Sequence, residues 1–267
     1  MNAMELIRSR RSVRSFDGNE LEKAELEEIL RFAEAVKTPI DLPIEWRILN
    51  AREHGLTSPV ITGTDTWIAG KMRRALHAEE AFGFAFERVV LYAQSRGIGT
   101  TWIAGTMDRA AFERAMALEE GEVMPCVSPL GRPAPRMSLR ETLMRKGVKA
   151  DVRLPFGDLF FDGSFDKPLS AGPMAGPLEM VRWAPSAVNK QPWRIVLAGD
   201  AAHFYEKRSK GYVSADGWDL QKIDIGIAMC HFVCGLEEMG CRYEFCFDDP
   251  DLQTPEDTDY IATFRFS

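Results

Sequence analysis

The sequence predicts an α+β protein in which one chain carries two similar, pseudo-symmetric sheet-plus-helix halves. Two long apolar helical segments, about residues 76–96 and 219–239, stand in matching places. The first carries Gly83-Phe84-Ala85 where the second carries Gly226-Ile227-Ala228. Each then ends at a glycine, Gly97 or Gly240, after the same span. A strand start of Trp-Arg-Ile also occurs twice, at Trp46-Arg47-Ile48 and at Trp193-Arg194-Ile195. Amphipathic helices resemble one another by chance, but a repeat weak in identity and constant in order points to duplication. The boundaries that follow are a first half at 1–133, a crossover at 134–175 and a second half at 176–267.

The elements follow in order. Asn2 and Glu5 pair as a cap for a short first helix ending near Arg10. Asn19 and Glu22 repeat that pattern before a helix over about 20–36, with Leu26, Ile29, Leu30 and Ala33 on one apolar face. Pro39 and Pro43 stop it, Trp46 to Leu49 reads as a strand, and Val60-Ile61 is a further strand candidate. Phe82, Ala85, Phe86, Val89, Val90 and Ala93 mark the core face of the first long helix, which is apolar on so many sides that it belongs in the interior. Asp108 is a good N-cap for a helix that turns Phe112 and Met116 inward. Met124 to Leu130 is a strand, closed by Gly131-Arg132-Pro133. Residues 134–175 show no long periodic segment. Beyond them come a helix over Leu178 to Ala184, a strand at Trp193, the second long helix, and strands over 242–247 and 260–266.

Composition narrows the function classes. The 267 residues are 45% hydrophobic and 27% charged, as in an ordinary soluble globular protein. No apolar stretch has membrane-spanning length, and the N-terminus lacks the apolar core of a signal peptide, so a cytoplasmic protein is expected. The formal charge of −7 argues against a general nucleic-acid-binding face. Five cysteines without a CxxC pair argue against a disulfide framework or a zinc site and for buried, reduced thiols.

Two stretches carry the chemistry. Arg10-Arg11-Ser12-Val13-Arg14-Ser15-Phe16 places three guanidinium groups and two hydroxyls in seven residues. Guanidinium groups bind phosphate oxygens in pairs and stay charged at any working pH, and Ser12 adds a compact hydroxyl. Taken alone, a solvated basic face is the commoner fate of such a run. The second stretch is Ala184-Pro185-Ser186-Ala187-Val188-Asn189-Lys190-Gln191-Pro192-Trp193. Asn189 offers a donor and an acceptor to the edge of a flat heterocycle, Ser186 adds a contact, and the prolines stiffen the turn. Trp193 belongs to the core of the following strand. A polar helix-to-strand loop is the plainer reading. A third segment, 97–105, follows the long helix with small residues that let backbone approach a ligand; by itself it reads as a tight connection.

Together RRSVRSF, APSAVNKQPW and GIGTTWIAG resemble the flavin-contact segments of the nitroreductase-like FMN flavoproteins, and within them a monomeric, internally duplicated branch. The resemblance implies a nitroreductase-like fold and an FMN site. Arg10, Ser12 and Arg14, with Arg11 adjacent, would hold the phosphate and ribityl chain, and Arg153 of the crossover would complete that end. Pro185, Ser186, Ala187, Asn189 and Gln191 would line the isoalloxazine ring. Ile103, Ala104 and Gly105 would bring backbone near flavin N5 and O4. NADH or NADPH would give hydride to N5 and be replaced by a small aromatic or quinone-type acceptor in ping-pong order, with no side chain as acid or base and no metal. A non-catalytic protein that binds, stores or senses FMN on the same scaffold is the alternative.

The sequence departs from the family pattern in one respect. Glu34 to Pro39 stands where the first half would carry its own ring-contact motif, and no RRSxR opens the second half. Each half retains one of two complementary motifs, so the expectation is one FMN per chain, held between the halves of a functional monomer that imitates the family's dimer.

Overall fold

The computed structural model describes residues 2–214 and 217–267. In chain order the elements are α1 (Ala3–Ser9), α2 (Lys23–Ala35), β1 (Glu45–Asn50), α3 (Ala51–His54), β2 (Thr66–Arg73), α4 (Ala78–Ser95), α5 (Arg109–Ala115), β3 (Glu122–Val123), β4 (Val127–Leu130) and α6 (Leu139–Gly147). They continue with α7 (Phe156–Leu159), β5 (Phe160–Asp162), α8 (Ala175–Arg182), β6 (Trp193–Ala198), β7 (Ala201–Lys207), α9 (Leu220–Glu238), β8 (Tyr243–Cys246) and β9 (Thr258–Phe266). This is the expected α+β class. The chain divides into two compact units: residues 8–78 with 85–148, and residues 1–7 and 79–84 with 149–267.

In the unit built on 8–148, β2 is the central strand. It runs antiparallel to β1 along one edge and to β3 and β4 along the other. Gly70 is required there because the ring of Trp46 lies on its backbone; an added Cβ would come within 2.6 Å of the indole. Leu49, Trp67, Phe112, Met116, Met124 and Val127 pack into one core, as Phe112 and Met116 were expected to do. Asp108 caps α5 by accepting from the Ala111 amide.

Several expectations need correction in this unit. Asn19 does not cap α2: it folds back on Asp17 across Gly18, and Glu22 and Glu25 form the capping box instead. Val60-Ile61 is not a strand, because 58–61 closes as a turn; the adjacent Thr62 makes a single bridge to Ser15. The strand expected over 124–130 is broken at Met124-Pro125, whose carbonyls accept from the Arg109 guanidinium rather than from a neighbouring strand. The crossover is more ordered than expected, since α6, α7 and β5 all lie within it.

The other unit holds a five-stranded sheet in the order β5-β6-β7-β9-β8. The β5–β6 pair is parallel and the rest are antiparallel. On it lies α9, buried almost throughout from Gln221 to Leu236. Phe204, Phe232 and Phe264 interlock edge to face at the sheet–helix boundary, with centroids 5.4–5.6 Å apart. Helix α8 comes so close to α9 that a Cβ on Gly235 would sit 2.5 Å from Pro177 Cα. None of the helices among the described residues is long and apolar enough to cross a membrane.

The tightest packing in this unit is a crossing of α9 with residues 79–84 of α4. A Cβ on Gly83 would lie 2.1 Å from the Ile223 carbonyl oxygen, and one on Gly226 would lie 2.1 Å from that of Glu80. Each glycine therefore faces the residue three before its counterpart, the reciprocal pattern of a twofold contact. Gly83→Ala or Gly226→Ala should each lower unfolding stability by at least about 2 kcal/mol, because backbone rather than a movable side chain must yield. Gly176→Ala in α8, where the added methyl meets nothing within 4 Å, should be neutral or slightly stabilising. Urea unfolding midpoints decide this; equal midpoints for all three variants would show that the crossing has slack enough for a methyl group.

Candidate functional site

In the unit built on 8–148 the chain is extended from Arg10, and its backbone threads between two other segments of that unit. Val13 donates to the Thr100 carbonyl at 2.8 Å, Ser12 and Thr100 form a parallel bridge, and Phe16 donates to the Thr62 carbonyl at 2.9 Å. Gly99 allows this approach, because a Cβ there would press on the Val13 side chain at 3.0 Å. RRSVRSF and GIGTTWIAG are thus neighbours. Farther along, Ile103 pairs with Val127 in both directions, the Ala104 carbonyl accepts from Arg109, and Gly105 is exposed with open space around it.

The arginines are not a solvated face. The Arg10 side chain is only 6% exposed, with Nε 4.0 Å from Glu87 Oε1. Glu87 also accepts from the Trp102 indole at 3.0 Å. Arg11 donates to Glu141 Oε1 at 3.0 Å. Burial lowers the pKa of Arg10, with Glu87 opposing and Arg145 reinforcing the shift. Burial likewise lowers that of Arg14, with Glu141 opposing and Arg145 reinforcing. Both guanidinium groups remain charged, since arginine does not lose its proton in proteins. Among the described residues the buried Nε atoms of Arg10 and Arg14 find no hydrogen-bond partner, nor does Thr101 Oγ1. Unsatisfied buried donors beside excess positive charge fit an oxyanion such as a phosphate. The sequence reading missed Glu87, Glu141 and Arg145; the Ser138-x-x-Glu141 pattern, with Ser138 capping α6, was the available signal.

The 184–193 turn lies in the other unit and contains no glycine. Val188, Asn189 and Gln191 nevertheless hold left-handed backbone at φ 50°, 57° and 52°. Such conformations cost about 1–3 kcal/mol each outside glycine and persist only where the surroundings enforce them. Enforcement comes from four directions. Ala187 N–H donates to both oxygens of Asp224, at 3.0 and 3.1 Å. Gln191 N–H donates to Ser186 Oγ at 2.9 Å. The Asn189 amide donates to the carbonyls of Lys149 and Val152, at 2.8 and 2.9 Å. Gln191 Oε1 accepts from Leu154 N–H at 3.0 Å. The Asn189 donor is therefore spent on the chain itself, and Gln191 is 3% exposed. Pro185, Ser186 and Ala187 are half-buried along the turn. Arg153 donates to the Ala150 and Val152 carbonyls and lies over the Trp183 ring, 5.0 Å from its centroid.

Behind the turn is a carboxylate group that the sequence reading missed. Asp224 is buried, and burial lifts its pKa well above the usual range; the Ala187 N–H opposes this, and Asp219 and Glu206 add to it. Glu206 on β7 is 1% exposed, and neither of its oxygens has a hydrogen-bond partner among the described residues. Burial, then Asp219, push its pKa to about 7, against the pull of Lys222, with Glu80 and Asp259 also raising it. No group of His, Cys, Asp or Glu among the described residues is arranged to hold a metal ion.

A raised carboxylate pKa gives a signed expectation. Between the ordinary value of 4.5 and about 7, the folded chain binds more protons at Glu206 than the unfolded chain does. Stability from this group is therefore present at low pH and lost as pH rises through that window. A tenfold change in proton affinity is worth about 1.4 kcal/mol. Glu206→Gln should accordingly raise stability by ~2–3 kcal/mol at pH 8 and by little at pH 4.5. Chemical denaturation at the two pH values measures this; a gain equal at both would show that Glu206 ionises normally.

The architecture has known relatives. A family model described as "Putative TM nitroreductase" matches residues 2–236. Among solved structures, one described as a putative nitroreductase from Thermotoga maritima MSB8 superposes with a TM-score of 0.62 at 20% identity, covering 100% of this chain and 93% of its own. A nitroreductase family protein from Clostridium difficile 630 has a TM-score of 0.46 at 16% identity, over 59% of this chain and 96% of its own. An FMN-dependent nitroreductase from Clostridium difficile R20291 has a TM-score of 0.43 at 16% identity, over 51% and 90%. No curated protein matches. The Thermotoga likeness shows the fold, and the family match supports a general oxidoreductase role. The chain belongs to the nitroreductase family that this model defines.

Proposed function

We propose that this protein binds FMN and uses NADH or NADPH to reduce a small aromatic or quinone-type acceptor. The observation that carries the reading is the pair of buried, unsatisfied guanidinium nitrogens on Arg10 and Arg14. They lie in the segment that the resemblance assigns to the phosphate end. A bound FMN would supply two-electron redox chemistry between the nicotinamide and the acceptor. The chain's own residues bind and orient. Arg10, Arg11 and Arg14 balance the phosphate charge, and Ser12 offers a hydroxyl to the same end. On this reading Pro185, Ser186 and Ala187 address the ring, Asn189 turns only its amide oxygen to it, and the buried Gln191 shapes the turn behind them, with Ile103, Ala104 and Gly105 contributing backbone and Arg153 a further cation. No side chain is assigned as a proton donor.

The proposal extends to stoichiometry. Each half of the sequence retains a different motif, so one FMN per chain and a functional monomer are expected. Titration of the apo-protein with FMN, followed by light scattering on the complex, gives both numbers. Two FMN per chain would overturn the reading, and so would FAD released on acid treatment. Anaerobic addition of NADH or NADPH should bleach the flavin band; a bound flavin that neither nicotinamide reduces would favour storage or sensing.

Arg10→Ala and Arg14→Ala should each weaken FMN binding by ~1.5–3 kcal/mol, the range for a hydrogen bond to a charged group. That is roughly tenfold or more in Kd. Arg52→Ala, whose side chain is 75% exposed and pairs with Asp65, should leave Kd unchanged. Fluorescence titration at fixed salt makes the comparison. FMN held as tightly by Arg10→Ala and Arg14→Ala as by the native chain would remove the phosphate assignment.

A further inference from the structure

The 184–193 turn meets its own unit on two sides of different character. On one side its side-chain amides bond to the carbonyls and N–H of 149–154, an irregular stretch just after α6. On the other it meets α9, whose residues from Ile223 to Leu236 are buried without interruption. The turn is tied to α9 by the hydrogen bond that Ala187 N–H donates to Asp224, shared between both carboxylate oxygens. Asp224 lies between Ile223 and Gly226, the two α9 positions that press against α4, so its backbone has little freedom. Ala187 opens the left-handed stretch, directly before Val188 at φ 50°. Val188 is 60% exposed, so its side chain gains little from packing that would hold this backbone. The conformation must be imposed through hydrogen bonds, and the α9 carboxylate is their rigid member.

Burying an acid is costly, and the position is costlier for having Asp219 and Glu206 near it. A neutral acceptor would be cheaper in charge. What the carboxyl offers is two oxygens on a short stem, within reach of an N–H that the turn otherwise leaves unpaired. Because a protonated carboxyl keeps a carbonyl oxygen, the same bond survives in either protonation state.

We propose that Asp224 is a positioning residue of the ring-contact turn: it holds the Ala187 amide against α9 and so fixes where Ser186, Ala187 and Asn189 present themselves to a bound flavin. Asp224 touches no ligand in this role and acts through Ala187. The flavin part rests on the FMN reading above, whereas the positioning of the turn does not.

The test separates the two. Amide hydrogen–deuterium exchange over 184–193 is measured on the full chain without flavin, for the native protein, Asp224→Asn and Asp224→Leu. Asp224→Asn keeps an acceptor and should leave the Ala187 amide protected. Asp224→Leu removes the acceptor and should raise exchange at Ala187 at least tenfold, with α9 protection unchanged. FMN titration then follows the same series: Kd within about threefold of native for Asp224→Asn, and at least tenfold weaker for Asp224→Leu. Should Asp224→Leu not fold, Ala187→Pro carries the test. It removes the donor at a position that opens a short helical turn, and it should weaken FMN to the same degree. Equal exchange in the native and Leu chains, or Asn and Leu variants equally impaired, would overturn the positioning role. A native chain that binds no FMN, with the exchange difference intact, would overturn the flavin reading and leave the positioning role standing.

Discussion

Much in the unit that contains α9 follows from the approach of two backbones where that helix crosses residues 79–84. Gly83 and Gly226 each meet a carbonyl oxygen at a distance no side chain tolerates. Helices packed at ordinary separation place side chains between them; here backbone meets backbone at Gly83 and Gly226. On α9 that fixes the directions of 223–226, and Asp224 is delivered to the 184–193 turn as a consequence. On α4 it buries Glu80, whose charge adds to the upward pressure on the Glu206 pKa. One close crossing thus places the carboxyl that ties down a candidate ligand-contact loop and brings one more acid near Glu206.

The two units treat buried charge in opposite ways. Around Arg10, Arg11 and Arg14, the carboxylates Glu87 and Glu141 supply partial neutralisation, and Arg145 adds positive charge. Buried donors remain unsatisfied there, an arrangement that an added anion improves. Around Asp224 and Glu206 the surplus is negative, with Lys222 the cation that lowers the Glu206 pKa. An added anion would worsen that site, where burial and the neighbouring acids raise the pKa of both Asp224 and Glu206. A phosphate would therefore be favoured beside the arginines and repelled beside the carboxyl groups.

The sequence showed those parts whose signal is local. Caps, terminating glycines and apolar periodicity located α1, α4, α5 and α9 to within a few residues. The strands β2 and β7, each with partners on both edges, escaped for a physical reason. Both are buried along nearly their whole length, so the alternation that marks a half-exposed strand is missing. Each also carries an ionisable residue in its buried run, Lys71 or Glu206. Lys71 is tolerable there because Glu122 and Glu45 reach it at 2.8 and 3.3 Å, a fact of tertiary structure alone. In the candidate site the motif residues stood out because their side-chain chemistry is unusual as a group. Asp224, Glu206, Glu87 and Glu141 did not, since an isolated acid in a sequence says nothing about which amide or guanidinium it will meet.

The turn itself shows how much of a function lies below the level of a family match. Identity of 20% to the Thermotoga structure carries the fold and no particular contact. Three non-glycine residues in left-handed backbone are a more local statement. Glycines would adopt these angles without strain, but the loop would then sample many other shapes. With Val188, Asn189 and Gln191 the permitted alternatives are fewer, and the bonds from Asp224, Ser186 and the 149–154 stretch select one of them. A loop so constrained would have little ordering left to do on meeting a rigid ligand, which is the energetic basis of preorganised binding. The strain is thus intelligible as the cost of a surface held ready, offset by a carboxyl group that the core would otherwise have no reason to bury.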